Sequence, residues 1–213
     1  LLLAPCSLHA QVAGTLSSYS RFGLGLPHDQ SQGFNKSMGG VGLGFRIGNR
    51  VNVANPASYS AIDSLSLILD VGMSGSFGRM TQGAKSVGIN NATLDYVHAG
   101  MHVAKNLGLA IGYMPYTSIG YDFSSPDQSI SSDVNTTLPI TSSNSYNGSG
   151  GLNVAYVGLG WRTFKNISIG ANVGFVWGKY YHLMMPLFKE GGISSASYNS
   201  TLKSYTATLR TFK

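Results

Sequence analysis

From Leu152 to Lys179 the chain reads LNVAYVGLGWRTFKNISIGANVGFVWGK, and apolar and polar positions alternate through most of it. Ile167, Ile169, Ala171, Val173, Phe175 and Trp177 fall on one face, while Ser168, Gly170, Asn172, Gly174 and Gly178 fall mainly on the other. Before them, Ala155, Val157, Leu159 and Trp161 oppose Tyr156, Gly158, Gly160 and Arg162. A period of two marks strands with one apolar side. The two runs therefore predict a hairpin turning at Phe164-Lys165-Asn166.

The same alternation recurs upstream. Leu65 to Phe77 sets Leu65, Leu67, Leu69, Val71, Met73 and Phe77 outward and Ser66, Asp70, Gly72, Ser74 and Ser76 inward, with Ile68 an exception. Residues 78–91 read as a polar loop. Ala92 to Ala104 sets Val97, Ala99, Met101 and Val103 against Tyr96, His98, Gly100 and His102. Leu107 to about Phe123 continues the outer row through Tyr113 until Pro115 interrupts it. Short connections at Lys105-Asn106 and Lys165-Asn166 alternate with longer ones near 78–91, 124–147 and 189–196. That is the layout of an outer-membrane barrel, with short turns in the periplasm and long loops outside.

A soluble sandwich alternates too, so run length has to decide. Each run is about ten residues, enough for a tilted strand to cross hydrocarbon, with aromatics at its ends and small polar residues opposite. The expected fold is all-β: an antiparallel transmembrane β-barrel, about six strands of it present in residues 63–213, behind a glycine-dense segment at 11–62. On such a wall Asp70, His98 and His102 are lumen polar residues. On a strand His98 and His102 lie about 13 Å apart, at about 3.3 Å per residue, so a shared metal is not expected. No cofactor is implied.

Composition agrees with this picture. The chain has 213 residues, 28 of them glycine, and only 10% are charged, against about 25% in ordinary soluble domains. The net charge of +6 comes from scattered basic residues, which form no stripe, so nucleic acid is not an expected partner. Leu1–Ala10 reads as the remnant of a secretory signal peptide with Gln11 as the first mature residue. The single cysteine, Cys6, falls inside it, and both ends of the chain read as cut from a longer barrel. No Gly-x-Ser-x-Gly elbow or assignable catalytic set occurs, so an enzyme is not expected.

Tyr19-Ser20-Arg21-Phe22-Gly23, Met38-Gly39-Gly40-Val41-Gly42 and Asn55-Pro56-Ala57-Ser58 before the first strand resemble the start of the FadL/OmpP1/TodX outer-membrane transporter family, its Bacteroidetes-type members in particular. Tyr146-Asn147-Gly148-Ser149-Gly150-Gly151-Leu152 and Ile169-Gly170-Ala171-Asn172 fit the same pattern. The resemblance implies an N-terminal hatch in the lumen, anchored by Asn55, Pro56 and Ala57. It also implies passive passage of long-chain fatty acids or aromatics across the bacterial outer membrane. Pro115 then has two readings: a strand that has already cleared the membrane, or, by resemblance, a kinked third strand opening sideways. Tyr180, Tyr181, Met184, Met185 and Phe188 either extend the wall or contact an apolar ligand. The expected partners are outer-membrane lipid and a hydrophobic small molecule. The alternative is a barrel scaffold whose outer loops bind a protein partner in secretion or surface attachment.

Overall fold

A computed structural model describes residues 17–82, 85–125, 128–130, 140–190 and 203–212. Eight strands form one antiparallel sheet: β1 (Leu26–Pro27), β2 (Leu67–Gln82), β3 (Lys85–Ala104), β4 (Leu107–Ser124), β5 (Gln128–Ile130), β6 (Ile140–Phe164), β7 (Ile167–Glu190) and β8 (Lys203–Phe212). The six long ones lie in the order β2-β3-β4-β6-β7-β8; β1 pairs with β4, and β5 with β6. Among the described residues no helix is long and apolar enough to cross a membrane, a statement that does not bear on strands.

The predicted faces hold. Leu67, Leu69, Val71 and Met73 of β2, Val157, Leu159 and Trp161 of β6, and Ile167, Ile169 and Val173 of β7 are all exposed on one side. Part of the opposite side is packed against the N-terminal segment. The core lies between the two, with Val51, Tyr59 and Ile62 from the N-terminal segment and Tyr96, Ala110, Met114, Leu152, Val154, Tyr156 and Val176 from the sheet. Ile68, out of pattern as a polar-face residue, packs against this core.

Three expectations need correction. The strands are longer than the apolar alternation: residues 78–91 are not a loop, because β2 and β3 stay paired from Leu67↔Met101 to Gln82↔Lys85. Likewise β6 begins at Ile140 and pairs with β7 as far as Glu190. Ser, Thr and Asn hydrogen-bond along a ladder as well as apolar residues do, but they leave no period to read. Leu65 does not belong to the first strand either; its φ of 64° is left-handed and its side chain fully exposed. The leader, Cys6 and Gln11 lie outside the described residues.

The N-terminal segment has no long helix because its glycines and prolines do not support one. It holds its shape through side chains bonded to backbone. Asn52 Nδ2 donates to the carbonyls of Gly42, at 2.6 Å, and Phe45, at 2.9 Å. Asn35 Nδ2 donates to Gln32 Oε1 and Asn52 Oδ1. These three side chains, Gln32, Asn35 and Asn52, are each about 4% exposed; they form a buried polar knot in place of regular structure, in which Gln32 Nε2 finds no partner among the described residues.

Candidate functional site

Where the N-terminal segment meets the sheet near the short turns, three glycines stand side by side. Gly108 of β4 is in register with Gly160 of β6, and Gly160 with Gly170 of β7. A 3-10 turn, Pro56–Ala61, lies in the trough they leave. A Cβ at Gly108 would strike the Tyr59 carbonyl; one at Gly160 or Gly170 would strike the backbone of Pro56. Proline opens the turn, where its missing N–H costs nothing, and Ser58 N–H bonds to Asn55 O at 2.9 Å. Tyr59, fully buried, donates its hydroxyl to Asn172 Oδ1 at 3.1 Å, and Asn172 Nδ2 donates to Val53 O at 3.0 Å. Burial raises the Tyr59 phenol to about 12. Asn55, Pro56 and Ala57 thus sit where the segment docks, and Tyr59 and the glycine row, which sequence reasoning missed, are what receive and fix it.

Higher up, aromatic rings bridge over glycine. Tyr156 and His98 flank Gly112 in register, their Oη and Nδ1 2.9 Å apart, and Tyr96 stacks on His98 with centroids 4.7 Å apart. The Tyr96 hydroxyl receives the Gly33 N–H at 2.8 Å and reaches Asp70 at 3.4 Å. His102 instead bonds Ile62 O through Nδ1 at 3.1 Å. His102 therefore contacts the N-terminal segment directly, whereas His98 is held between aromatic residues of the sheet.

Asp95 was missed for a definite reason. Strict alternation from Val97 turns it outward, but register shifts between Gly72 and Met73, with Gly72 opposite Tyr96 and Met73 opposite Leu94. This bulge leaves Asp95 unpaired and turns it inward, the usual work of an extra residue in a strand. There Ser74 Oγ donates to it at 2.6 Å and Lys36 Nζ lies 3.2 Å away. A carboxylate at an outward position of an apolar row was the available signal.

Pro115 also marks a bulge. Register shifts between Pro115 and Thr117, yet β4 stays paired with β6 on both sides. On its other edge β4 pairs with β3 only as far as Tyr113↔Val97. Beyond that the N-terminal segment takes over: β1 pairs with Thr117 and Ser118, His28 N–H bonds to Tyr116 O, and Ser17 N–H to Gly120 O. Arg21 lies over the Tyr146 ring at 3.8 Å. Tyr180, Tyr181, Met184 and Met185 do not share one surface; β7 alternates them, Tyr181 and Met185 on the exposed apolar side and Tyr180 and Met184 on the other. The Phe188 side chain lies outside the described residues.

An antiparallel sheet with exposed apolar rows on one face and the N-terminal segment packed against the other defines a β-rich protein with little helix among the described residues. The family model for BamG matches residues 1–208. The chain belongs to that family, which comprises components of the BAM complex and associates with the outer membrane. Among curated proteins and among solved structures, none matches the chain.

This match overturns the resemblance to FadL/OmpP1/TodX transporters. With it go the expectations of fatty-acid or aromatic transport and the basis for a hydrophobic small-molecule ligand: the BamG family points to outer-membrane protein assembly and to a protein partner. The motifs behind the resemblance are short and glycine-rich. Tight packing of backbone on backbone demands such motifs in any family.

Proposed function

We propose that the chain is the wall and plug of an outer-membrane β-barrel that works as a scaffold subunit in outer-membrane protein assembly. The family match over 1–208 carries this reading. The exposed rows on β2, β6 and β7 support membrane insertion, since an apolar face this extended is covered by lipid or protein in a working molecule. Trp161 and Phe164, exposed next to the Lys165-Asn166 turn, stand where an aromatic girdle belongs. In this reading the inner face, packed in part against the N-terminal segment, stabilises the subunit, and the chain has no catalytic centre; its task is to hold other proteins in place.

The test is affinity purification of the tagged full-length protein from outer membranes in mild detergent, combined with its depletion in cells. Stoichiometric recovery of BAM components, and a fall in folded outer-membrane proteins on depletion, are expected. A subunit that purifies alone and whose loss leaves that profile unchanged would sink the proposal.

A further inference from the structure

At the short-turn end of the sheet a cavity of about 460 Å³ is lined by Ser60, Ile62, Asp63, His102, Lys105 and Arg162 among others. Two guanidinium groups converge on its Ser60 wall. Arg162 Nη2 donates to Ser60 O at 3.4 Å, while Arg46 donates to Ser60 Oγ at 3.1 Å and to Ser168 Oγ at 2.8 Å. Partial burial, and after it the nearby Arg162, lower the Arg46 pKa. Lys105 stands exposed on the turn beside them, and Arg162 N–H bonds to Asn106 O at 2.9 Å, fixing the rim.

In the cavity the cations Lys105 and Arg162 outnumber the acidic groups. Asp63 is the single carboxylate lining the cavity. Among the described residues the ion pair formed is Lys36 with Asp95, well away from it. Arg162, oriented by its bonds to Ser60 O and Asn106 O, and the exposed Lys105 line the cavity and suit carboxylates, which a guanidinium fork receives in pairs, while Arg46, outside the lining, adds positive charge beside Ser60. We infer that this cavity is a docking site for an acidic peptide segment of a protein partner, entering from the short-turn side.

Two observations favour peptide over lipid head group. Arg162 is in register with Ser168, on the face carrying Gly160 and Gly170 and opposite the exposed apolar rows, so the site looks away from the side a membrane would cover. Its volume also lies in the range of about 300–1,000 Å³ usual for ligand pockets, which leaves room for part of a peptide. The identification of a protein segment, rather than any anion, rests on the scaffold reading above.

The experiment uses the purified full-length protein in detergent micelles and a fluorescein-labelled hexaglutamate peptide, followed by anisotropy. Binding that weakens with added salt is expected, falling roughly threefold in Lys105→Gln and roughly tenfold when Arg162→Gln is added. Asp63→Asn removes repulsion without disturbing a contact, so it should tighten binding by about threefold even if the arginine variant fails to fold. Equal affinity in the wild type, Lys105→Gln and Asp63→Asn overturns the inference. So does inorganic phosphate displacing the peptide at matched charge, or phosphatidylglycerol vesicles binding with the same variant dependence; either would assign the site to phosphate groups. None of these outcomes depends on co-purification with the BAM complex, so the two proposals can fail separately.

Discussion

Tyr59 reaches across the interior to Asn172, and its ionisation gives a direct probe of docking. The folded phenol ionises at about 12 rather than 10. The unfolded chain therefore loses that proton first as pH rises. The resulting stability is fully present below about pH 10 and is lost between about 10 and 12. Tyr59→Phe should cost about 1 kcal/mol at pH 8, from the lost hydrogen bond. It should also flatten the decline in urea-unfolding stability above pH 10; an unchanged decline would place Tyr59 outside the docking contact. Asp95→Ala should cost about 2 kcal/mol in the same assay, because Ser74 and Lys36 lose a charged acceptor. Lys36→Ala should cost less, since the lysine is partly exposed.

Among elements, the row Gly108-Gly160-Gly170 exists only through strand pairing. Gly160→Val would press Cβ into the Pro56 carbonyl, and overpacking of this kind costs about 1–3 kcal/mol. The sheet should survive while Pro56–Ala61 is displaced, so limited proteolysis should cut the N-terminal segment of the variant faster and leave the strands intact. Equal cleavage would argue that the trough is not what holds the segment. Here the limits of sequence also become specific. Alternation revealed which face each glycine occupied, but not that 108, 160 and 170 lie abreast, since register depends on both turns and on bulges. The bulge beside Gly72 hid Asp95 in the same way. Polar residues 78–91 concealed a paired hairpin because serine and asparagine leave no apolar row. Pro115 was legible as a break, but the transfer of the β4 edge from β3 to the N-terminal segment was not.

For the molecule as a whole, the decisive property is the division between an uncovered apolar face and a partly occupied one. Leu159 is half exposed in the outer row of β6. Leu159→Arg should destabilise the protein folded in lipid bilayers by about 2–4 kcal/mol if that row crosses the midplane. In urea titrations from liposomes the penalty should shrink for Val103→Arg, beside the Lys105-Asn106 turn, where the interface begins. Equal, small penalties at both sites would mean that protein rather than lipid covers this face. Composition and alternation made this division readable from sequence, whereas the family did not emerge from short glycine motifs.

The glycine trough also sets an order of events. Its three walls come from β4, β6 and β7, separated by the whole length of β6 and the chain before it, and there is no trough until all three are adjacent. The Pro56–Ala61 turn is synthesised before any of them, yet it has nowhere to settle until they have paired. Contacts so distant in sequence form late. A segment made before the strands that receive it is thus among the last to be locked, and until then the face it covers stands open.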